Sequence, residues 1–360
     1  MMIRTACTIR RGPFDDPDPE KRGLIEVREL PGREMTPESI RIKVAYNAIC
    51  GSEAHGFQAG WTSNMPPSTE PRGMGHEVSG VVVEVGEKAV HSGLKVGDRV
   101  GANFVHFCGD CWYCQNGMQN FCVNMREYMG PGCAEFVTWH EQQFYKLPDN
   151  VSLKEGCLTE PTAIAVRMAE KLAMKVGENT VICGGGPIGL LALQILNLYG
   201  AANLTLIEPI AERRDLAKTF GAIHTIDPFN EDVEARCLEI TSGRGFEKVL
   251  DASGAKAMMP TLLNLAAKGG YVLYGAMYPS DYELPLNLAT YLYTKELTVS
   301  GIYIAPYVFP RTINILSRLN LKPFTSCIFP MEQAHEAMVT QLTGKYPKIL
   351  INCNADIADL

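Results

Sequence analysis

The sequence predicts two domains, a β-rich domain followed by an α/β domain with a doubly wound parallel sheet. One observation is the length of 360 residues, which is more than a single core usually holds. Another is a series of short β-branched and aromatic runs, separated by Gly and Pro, up to about residue 160. Beyond about residue 162, short apolar runs alternate with helical segments of roughly ten to fifteen residues, which is typical of a parallel sheet covered by helices.

The elements can be placed in chain order. The predicted strands of the first region lie at residues 40–44, 78–85, 99–103 and 135–138. The second region has predicted strands at 180–183, 204–207, 224–226, 248–252 and 271–274, with helices between them at 187–199, 211–220, 231–240 and 256–267. Two helices, at 311–319 and 331–342, precede a last strand at 348–352. We therefore expect a first domain over 1–161, an α/β domain over 162–302, and a return of 303–360 to the first domain.

Composition narrows the class of protein. With 46% hydrophobic and 20% charged residues, the chain is an ordinary globular protein rather than a disordered, collagen-like or coiled-coil one. The formal charge is −7 and no block of Lys or Arg is present, so we expect no nucleic-acid partner.

Residues 179–207 carry no charge, but Gly184-Gly185-Gly186-Pro187 within them favours strand, turn and buried helix over a membrane span. The first 21 residues have no apolar core typical of a secretory signal, so we expect a reducing, cytoplasmic location.

Four of the 12 cysteines lie close together in the sequence, at Cys108, Cys111, Cys114 and Cys122. Two-residue gaps let successive thiolates point at one centre, and four sulfur ligands suit tetrahedral zinc without an open position. An iron–sulfur cluster is the alternative, since its motif begins with the same spacing. That motif continues with a three-residue gap and Cys-Pro, whereas here the gap is seven and no proline follows. The spacing therefore favours a structural zinc site.

A glycine-rich turn follows the first predicted strand of the α/β region. Gly184, Gly186 and Gly189 fit G-x-G-x-x-G, and Pro187 and Ile188 open the helix whose N-terminus could bind a pyrophosphate. Glu208 ends the next strand, 19 residues after Gly189, where an acid binds the ribose hydroxyls of a dinucleotide. A carboxylate there disfavours a 2′-phosphate, so the pattern predicts NAD rather than NADP. Arg213 and Arg214 lie nearby and weaken this preference. A purely structural glycine turn is the alternative.

Further metal-binding residue types are scattered along the first region: Cys50, His76, Glu77 and Glu160. Each is unremarkable alone, since a single Cys or His is more often part of a core. Together they offer one thiolate, one imidazole and one or two carboxylates. Such a set is a plausible catalytic zinc shell with a position left for water or substrate.

The order of these motifs resembles that of the zinc-dependent medium-chain dehydrogenases. The matching pieces are Cys50-Gly51-Ser52 with His55, the run from Gly75-His76-Glu77 to Gly86, Val96-Gly97-Asp98-Arg99-Val100, the four cysteines, the glycine-rich turn and Ile349-Leu350-Ile351. The segment 145–151 followed by Glu160-Pro161 is most similar to the polyol, or sorbitol-type, branch. The resemblance implies a GroES-like catalytic domain together with a Rossmann-fold domain.

The resemblance also implies roles for individual residues. Cys50, His76 and one or both of Glu77 and Glu160 would hold a catalytic zinc, with Glu160 favoured as the resting ligand. Ser52 would take the proton of the substrate, and His55 would relay it toward solvent. Phe57, Trp61 and Phe121 are either walls of the substrate pocket or core residues.

The function expected from this resemblance is an NAD-dependent zinc oxidoreductase of a secondary alcohol, a polyol or a sugar derivative. The alternatives are a threonine-type dehydrogenase of 3-hydroxy amino acids and a non-catalytic scaffold that binds zinc and a dinucleotide. We expect a small-molecule substrate, one catalytic and one structural zinc per chain, and a homodimer or homotetramer. The sequence departs from the family in two ways: Glu53 stands where the family usually has Asp, and the segment from Cys122 to Gly132 is shorter.

Overall fold

The computed structural model describes residues 1–58, 71–127 and 131–358, apart from the side chains of residues 126 and 127. The chain divides into two compact units. The first comprises Met1–Glu160 together with Pro306–Leu360, and the second comprises Pro161–Ala305. Within the described residues, no helix is both long enough and apolar enough to cross a membrane.

The first unit is built mainly of antiparallel strands. Its main sheet has the order Phe144–Lys146, Arg99–Ala102, Glu77–Val85, Ser39–Ala48, Leu350–Asn352 and Ile328–Pro330, with Phe136–His140 also paired to Ser39–Ala48. A three-stranded sheet contains Leu24–Pro31, Met2–Arg10 and Arg72–Gly73, and a small ribbon pairs Val105–His106 with Arg126–Glu127. The last strand of the chain thus pairs with a strand from near its beginning.

The central strand Ser39–Ala48 shows why this sheet forms. Its alternate residues Ile40, Ile42 and Val44 are fully buried and belong to the core of the first unit. A period of two places these side chains on one face of the sheet, where β-branched residues pack well. The strand therefore fixes the register of its neighbours, because a shift by one residue would turn this apolar set out of the core.

Short helices connect the strands of the first unit. The α-helices are Gly51–Phe57, Trp112–Gln115, Leu153–Gly156, Phe309–Leu316 and Ala334–Leu342. Single 3₁₀ turns lie at Gln119–Phe121, Glu141–Gln143, Lys322–Thr325, Met331–Gln333 and Ala355–Ile357. The helix Thr159–Lys171 contains the boundary between the two units.

The second unit is a six-stranded parallel sheet with helices between its strands. The strand order is His224–Ile226, Ala202–Ile207, Asn179–Cys183, Phe246–Asp251, Ala266–Tyr274 and Thr298–Gly301. The helices are Pro187–Leu198, Ala211–Thr219, Val233–Ile240, Met259–Leu265 and the π-helical segment Ala289–Thr294. The middle strands are almost wholly buried, as in sheets covered on both faces. The predicted fold class is therefore confirmed.

One predicted helix of the second unit is shorter than expected. The pattern placed a helix at 256–267, but the helix is Met259–Leu265, and the following strand already begins at Ala266. Pro260 explains the late start, because proline is favoured in the first turn of a helix and is unfavourable inside one.

Candidate functional site

Three residues that could bind a metal ion come together in the first unit: Cys50, His76 and Glu77. One ligand atom from each lies within 4.8 Å of the others. Cys50 precedes a short helix, His76 directly precedes the neighbouring strand, and Glu77 is the first residue of that strand. The sheet explains their proximity, because Ala48, two residues before Cys50, is paired with Glu77. A thiolate, an imidazole and a carboxylate fit zinc and leave a coordination position open.

Glu160 lies close to this group but is not part of it. Its side chain is buried at the start of the helix Thr159–Lys171, and its charge is one of those that raise the pKa of His76. Burial, followed by the negative charge of Glu77, raises the pKa of Glu160 to about 7. Of the two carboxylates, Glu77 is the one that belongs to the group within 4.8 Å.

Glu53 connects the two segments that carry the ligands. One of its carboxylate oxygens accepts a hydrogen bond of 3.0 Å from the backbone N–H of Cys50. The other accepts one of 2.5 Å from the backbone N–H of Gly75 and lies 3.8 Å from Nδ1 of His76. Burial alone would lower the pKa of His76, but the negative charges of Cys50 and Glu53 raise it well above its usual value. The longer side chain at this position thus reaches both ligand segments at once.

Lys348 is a residue that the sequence reasoning missed. Its ammonium nitrogen lies 2.7 Å from one carboxylate oxygen of Glu77 and 2.6 Å from the other. Both side chains are almost fully buried, with 2% and 1% exposure. Burial would lower the pKa of Lys348, but the charge of Glu77 raises it above its usual value, so the lysine is charged. The signal in the sequence is a lysine directly before the apolar run Ile349-Leu350-Ile351, because a buried lysine needs a partner.

The residues expected to move a proton lie on the helix that follows Cys50. The hydroxyl of Ser52 donates a hydrogen bond of 3.2 Å to the sulfur of Cys50. His55 lies one turn further along the same helix, and burial lowers its pKa. Imidazole is the side chain that most readily takes up and releases a proton near neutral pH. The helix therefore presents a hydroxyl next to the candidate metal ligands and a base one turn away.

The four clustered cysteines form a second group. Cys108, Cys111, Cys114 and Cys122 each offer a sulfur within 4.8 Å of the other three. The sulfurs of Cys108 and Cys122 are 3.4 Å apart, and all four thiols are free. Backbone N–H groups, first that of Cys111, lower the pKa of Cys108 to about 6, which favours the thiolate that binds metal. Four converging sulfurs fit a closed, tetrahedral zinc site.

The glycine-rich turn has the geometry of a dinucleotide-binding loop. Gly184 has φ +102°, where a side chain would be strained, and a Cβ there would meet Ser253. A Cβ on Gly189 would lie 1.9 Å from the carbonyl oxygen of Gly184, so the helix and strand approach closely. A Cβ on Gly186, by contrast, would meet nothing within 4 Å. Pro187 and Ile188 form the first turn of the helix Pro187–Leu198, so free N–H groups point toward this open space.

Glu208 lies against this loop. Its side chain is 3% exposed, and its carboxylate accepts hydrogen bonds of 2.6 Å from the N–H of Gly185 and 2.9 Å from that of Ile210. Arg213 lies 4.0 Å from the same carboxylate. Arg214 points elsewhere, since it bonds the backbone carbonyl of Glu208 and pairs with Asp227. The acid is thus fixed at the end of its strand, and Arg213 is the cation nearest to its carboxylate.

Sequence reasoning also missed a polar network behind the glycine-rich turn. Asp251, fully buried, accepts hydrogen bonds from the backbone N–H and the hydroxyl of Ser253, and one of 2.7 Å from the hydroxyl of Tyr278. Ser253 is the residue against which Gly184 packs. The signal was Asp-Ala-Ser-Gly directly after a buried strand, because an acid at a strand end needs local donors.

The three aromatic residues named as possible pocket walls differ in their exposure and location. Phe57 is 2% exposed and belongs to the core of the first unit. Phe121 is 51% exposed and packs edge-on against Tyr113 within the four-cysteine lobe. Trp61 lies outside the described residues. Phe57 is therefore a core residue.

Comparison with known protein families agrees with this arrangement. Residues 36–149 match the alcohol dehydrogenase GroES-like domain, and residues 187–318 match the zinc-binding dehydrogenase domain. The fold and the two ligand groups thus define an oxidoreductase that depends on zinc and a nicotinamide dinucleotide. The chain belongs to the zinc-dependent medium-chain dehydrogenase family, and the resemblance read from its motifs is confirmed.

Individual relatives are dehydrogenases and reductases of polyols and related compounds. The chain is 31% identical to D-xylulose reductase A of Aspergillus clavatus, with 92% of each chain covered. It is 32% identical to D-arabitol-phosphate dehydrogenase of Enterococcus avium, covering 90% of this chain and 92% of that one. A zinc-binding dehydrogenase of Sinorhizobium meliloti, solved with NADP, superposes with a TM-score of 0.84 at 27% identity, covering 98% and 99%. The names of the first two relatives thus refer to a sugar and to a sugar-alcohol phosphate.

Proposed function

We propose that this enzyme transfers a hydride between NAD and a secondary alcohol or its ketone, with a polyol or sugar derivative as substrate. The observation that carries the proposal is the group of Cys50, His76 and Glu77 with the hydroxyl of Ser52 bonded to the sulfur of Cys50. The names of the relatives support the substrate class, since xylulose and arabitol phosphate are a sugar and a polyol derivative.

The two ligand groups would hold two zinc ions with different roles. A zinc ion at Cys50 and His76 would supply positive charge that lowers the pKa of a nearby hydroxyl group. Glu160 is our proposed third resting ligand, and Glu77 would exchange with it. The four cysteines would hold the other ion, and their complete set of sulfurs supports a structural role.

The remaining chemistry falls to residues of this chain. Ser52 would accept the proton of the substrate hydroxyl, and His55 would pass it toward solvent. The pKa of His55, which burial lowers, supports this role, because only a neutral imidazole can accept a proton. A scaffold that merely binds zinc and a dinucleotide would not need this pair, so the pair supports an enzyme.

The test of the reaction is a substrate panel on the purified protein, followed by the absorbance of NADH. The panel contains polyols, sugar alcohol phosphates, simple secondary alcohols and L-threonine. We expect the highest kcat/KM with a polyol or sugar derivative, and at least a tenfold lower value, on the order expected for loss of a proton acceptor, in Ser52→Ala. Preference for L-threonine, or no turnover of any compound by the zinc-loaded protein, would contradict the proposal.

The proposed preference for NAD rests on Glu208. Its carboxylate is fixed at the glycine-rich loop, where a 2′-phosphate would meet like charge at a cost on the order of several kcal/mol if desolvated. Glu208→Ser should therefore raise kcat/KM with NADP relative to NAD, helped by Arg213. Reversal of that gain in the double variant Glu208→Ser/Arg213→Ala is the matched control. Equal or better efficiency of the unmodified enzyme with NADP would overturn the proposal.

We also propose that the enzyme is a homodimer or homotetramer. Support comes from the second unit, where the strand Thr298–Gly301 forms one end of the parallel sheet. The nearby segment Ala289–Thr294 carries Leu292 and Tyr293, which are 41% and 85% exposed. Exposed apolar side chains beside a sheet edge are typical of association surfaces. Light scattering coupled to size exclusion measures the mass, and a monomer would contradict the proposal.

A further inference from the structure

The pair of Lys348 and Glu77 is built by the central sheet of the first unit. Ala48 is paired with Glu77 on one side and with Leu350 on the other. Residues 77 and 348 are thus brought together across the end of one strand, although they are 271 positions apart. That strand end leads directly to Cys50. The cation therefore approaches the candidate metal group from the C-terminal segment of the chain.

Several negatively charged groups surround the candidate metal group. They raise the pKa of His76 or of Lys348, and they are the carboxylates of Glu53, Glu77 and Glu160 and the thiol of Cys50. Lys348 directs its ammonium at both oxygens of one of them, Glu77. A buried ion pair is rarely needed for stability, because an apolar pair of similar volume is often as stable. The pair therefore calls for an explanation other than packing.

Glu77 has two possible cationic partners. Its carboxylate belongs to the group within 4.8 Å that could hold a metal ion, and it is also bonded to Lys348. Electron pairs that accept from an ammonium are less available to a metal. If the ammonium were absent, the buried carboxylate would be neutralised by a proton or by the metal, because burying an unpaired charge is costly, and a bound metal ion would compete for it directly.

We propose that Lys348 is a positioning residue of the metal site, which holds Glu77 beside the metal but keeps it from becoming a permanent ligand. This inference rests on the proposed zinc site at Cys50 and His76. It means that Glu77 stays available for exchange while a coordination position remains open to the substrate. A permanent Glu77 ligand would close that position and slow turnover.

The test compares zinc affinity in Lys348→Met and in the unmodified enzyme, measured by competition with a chelator. We expect the variant to bind zinc at the Cys50 site about tenfold more tightly, within the range known for changes around metal ligands. The absorption spectrum of the cobalt-substituted enzyme should change, because the ligand set changes. Turnover should fall, and Lys348→Arg should restore both the spectrum and the affinity, since it keeps the cation.

The double variant Lys348→Met/Glu77→Gln is the matched control. It removes both charges, so no unpaired buried charge destabilises the folded protein. We expect its zinc affinity to return to the unmodified value or below. Unchanged or weaker zinc binding in Lys348→Met, or tighter binding that persists in the double variant, would overturn the proposal. If the unmodified protein bound no zinc at Cys50 and His76, both the proposed function and the role of Lys348 would fail. If it binds zinc there and the Lys348 variants do not behave as expected, only the role of Lys348 fails.

Discussion

The two candidate metal sites of the first unit are built in different ways. The four cysteines from Cys108 to Cys122 lie close together in the sequence, and their sulfurs converge. The other site takes Cys50 from the residue before a helix, His76 from the residue before a strand and Glu77 from the start of that strand, with Glu160 nearby on a second helix. The local site depends on spacing, whereas the distributed site depends on the register of a sheet.

The groups that surround the ligands also differ between the two sites. The sulfur of Cys108 accepts a hydrogen bond from the backbone N–H of Cys111, and backbone N–H groups are the largest influences on its pKa. Around Cys50 and His76, the neighbours include the side chains of Glu53 and Lys348. Backbone donors favour a fixed, closed shell. Charged side chains allow a ligand to be held, released or exchanged.

The largest difference between the sites should appear when a ligand of the distributed site is removed. Cys50→Ala and His76→Ala should each abolish turnover and lose about one of two zinc ions, because each removes a direct ligand. Elemental analysis and the rate of NADH formation measure this. Cys237→Ala, which replaces a buried cysteine outside both groups, is the control and should keep both ions. Finding iron, or no zinc at all, in the unmodified protein would contradict both assignments.

Removing a ligand from the local site should lower stability more than it lowers activity. Cys111→Ser should lower the free energy of unfolding by several kcal/mol, on the order expected when a structural zinc is lost, while the folded enzyme keeps most of its kcat. Denaturant unfolding and the rate per folded molecule separate the two effects. Loss of activity with unchanged stability would show that the four-cysteine site is not structural.

The two carboxylates should sharpen the comparison within the distributed site. Glu160→Ala should weaken zinc binding by more than the roughly 10- to 100-fold typical of residues that only support ligands, because it removes the proposed resting ligand. Glu77→Ala should keep the metal and turn over slowly, because it removes the exchanging group. Chelator competition and kcat are measured on both variants. The reverse pattern would make Glu77 the resting ligand, in line with its place in the group within 4.8 Å.

The smallest effect is expected at Glu53. Glu53→Asp shortens the side chain that bonds the backbone N–H groups of Cys50 and Gly75, so one of these bonds should be lost. A single hydrogen bond to a charged group contributes about 1.5–3 kcal/mol at most, and neighbouring water would replace part of it. We expect a few-fold weaker zinc affinity and normal unfolding of the four-cysteine lobe. An unchanged affinity would show that Glu53 does not organise the ligands.

The sequence predicted what depends on local pattern. Alternation of strands and helices gave the parallel sheet of the second unit, and the spacing of four cysteines placed their sulfurs in one loop. The glycine-rich turn was also recognisable, since Gly184 and Gly189 occupy positions where a side chain does not fit. For the four cysteines and the glycine-rich turn, the residues that explain the feature are close together in the sequence, and for the sheet the pattern is read one strand and one helix at a time.

What depends on register could not be predicted in this way. The strand Ser39–Ala48 meets Glu77–Val85 with irregularities near Ile42 and near Tyr46, which pattern analysis cannot place. The bond of Lys348 to Glu77 follows from that register and from the antiparallel pairing of the last strand, Leu350–Asn352, with Ser39–Ala48. Likewise, the bond from the N–H of Gly75 to Glu53 depends on how the loop before His76 approaches the helix after Cys50, whereas the bond from Cys50 spans only three residues.

The position of Lys348 in the chain also has a consequence for synthesis. Translation delivers Cys50, His76 and Glu77 at least 271 residues before the lysine, and N-terminal parts of a chain begin to fold first. A metal ion that met such a nascent chain would find Glu77 with no ammonium against it. Incorporation after the last strand has docked is therefore the order of events that leaves the carboxylate paired.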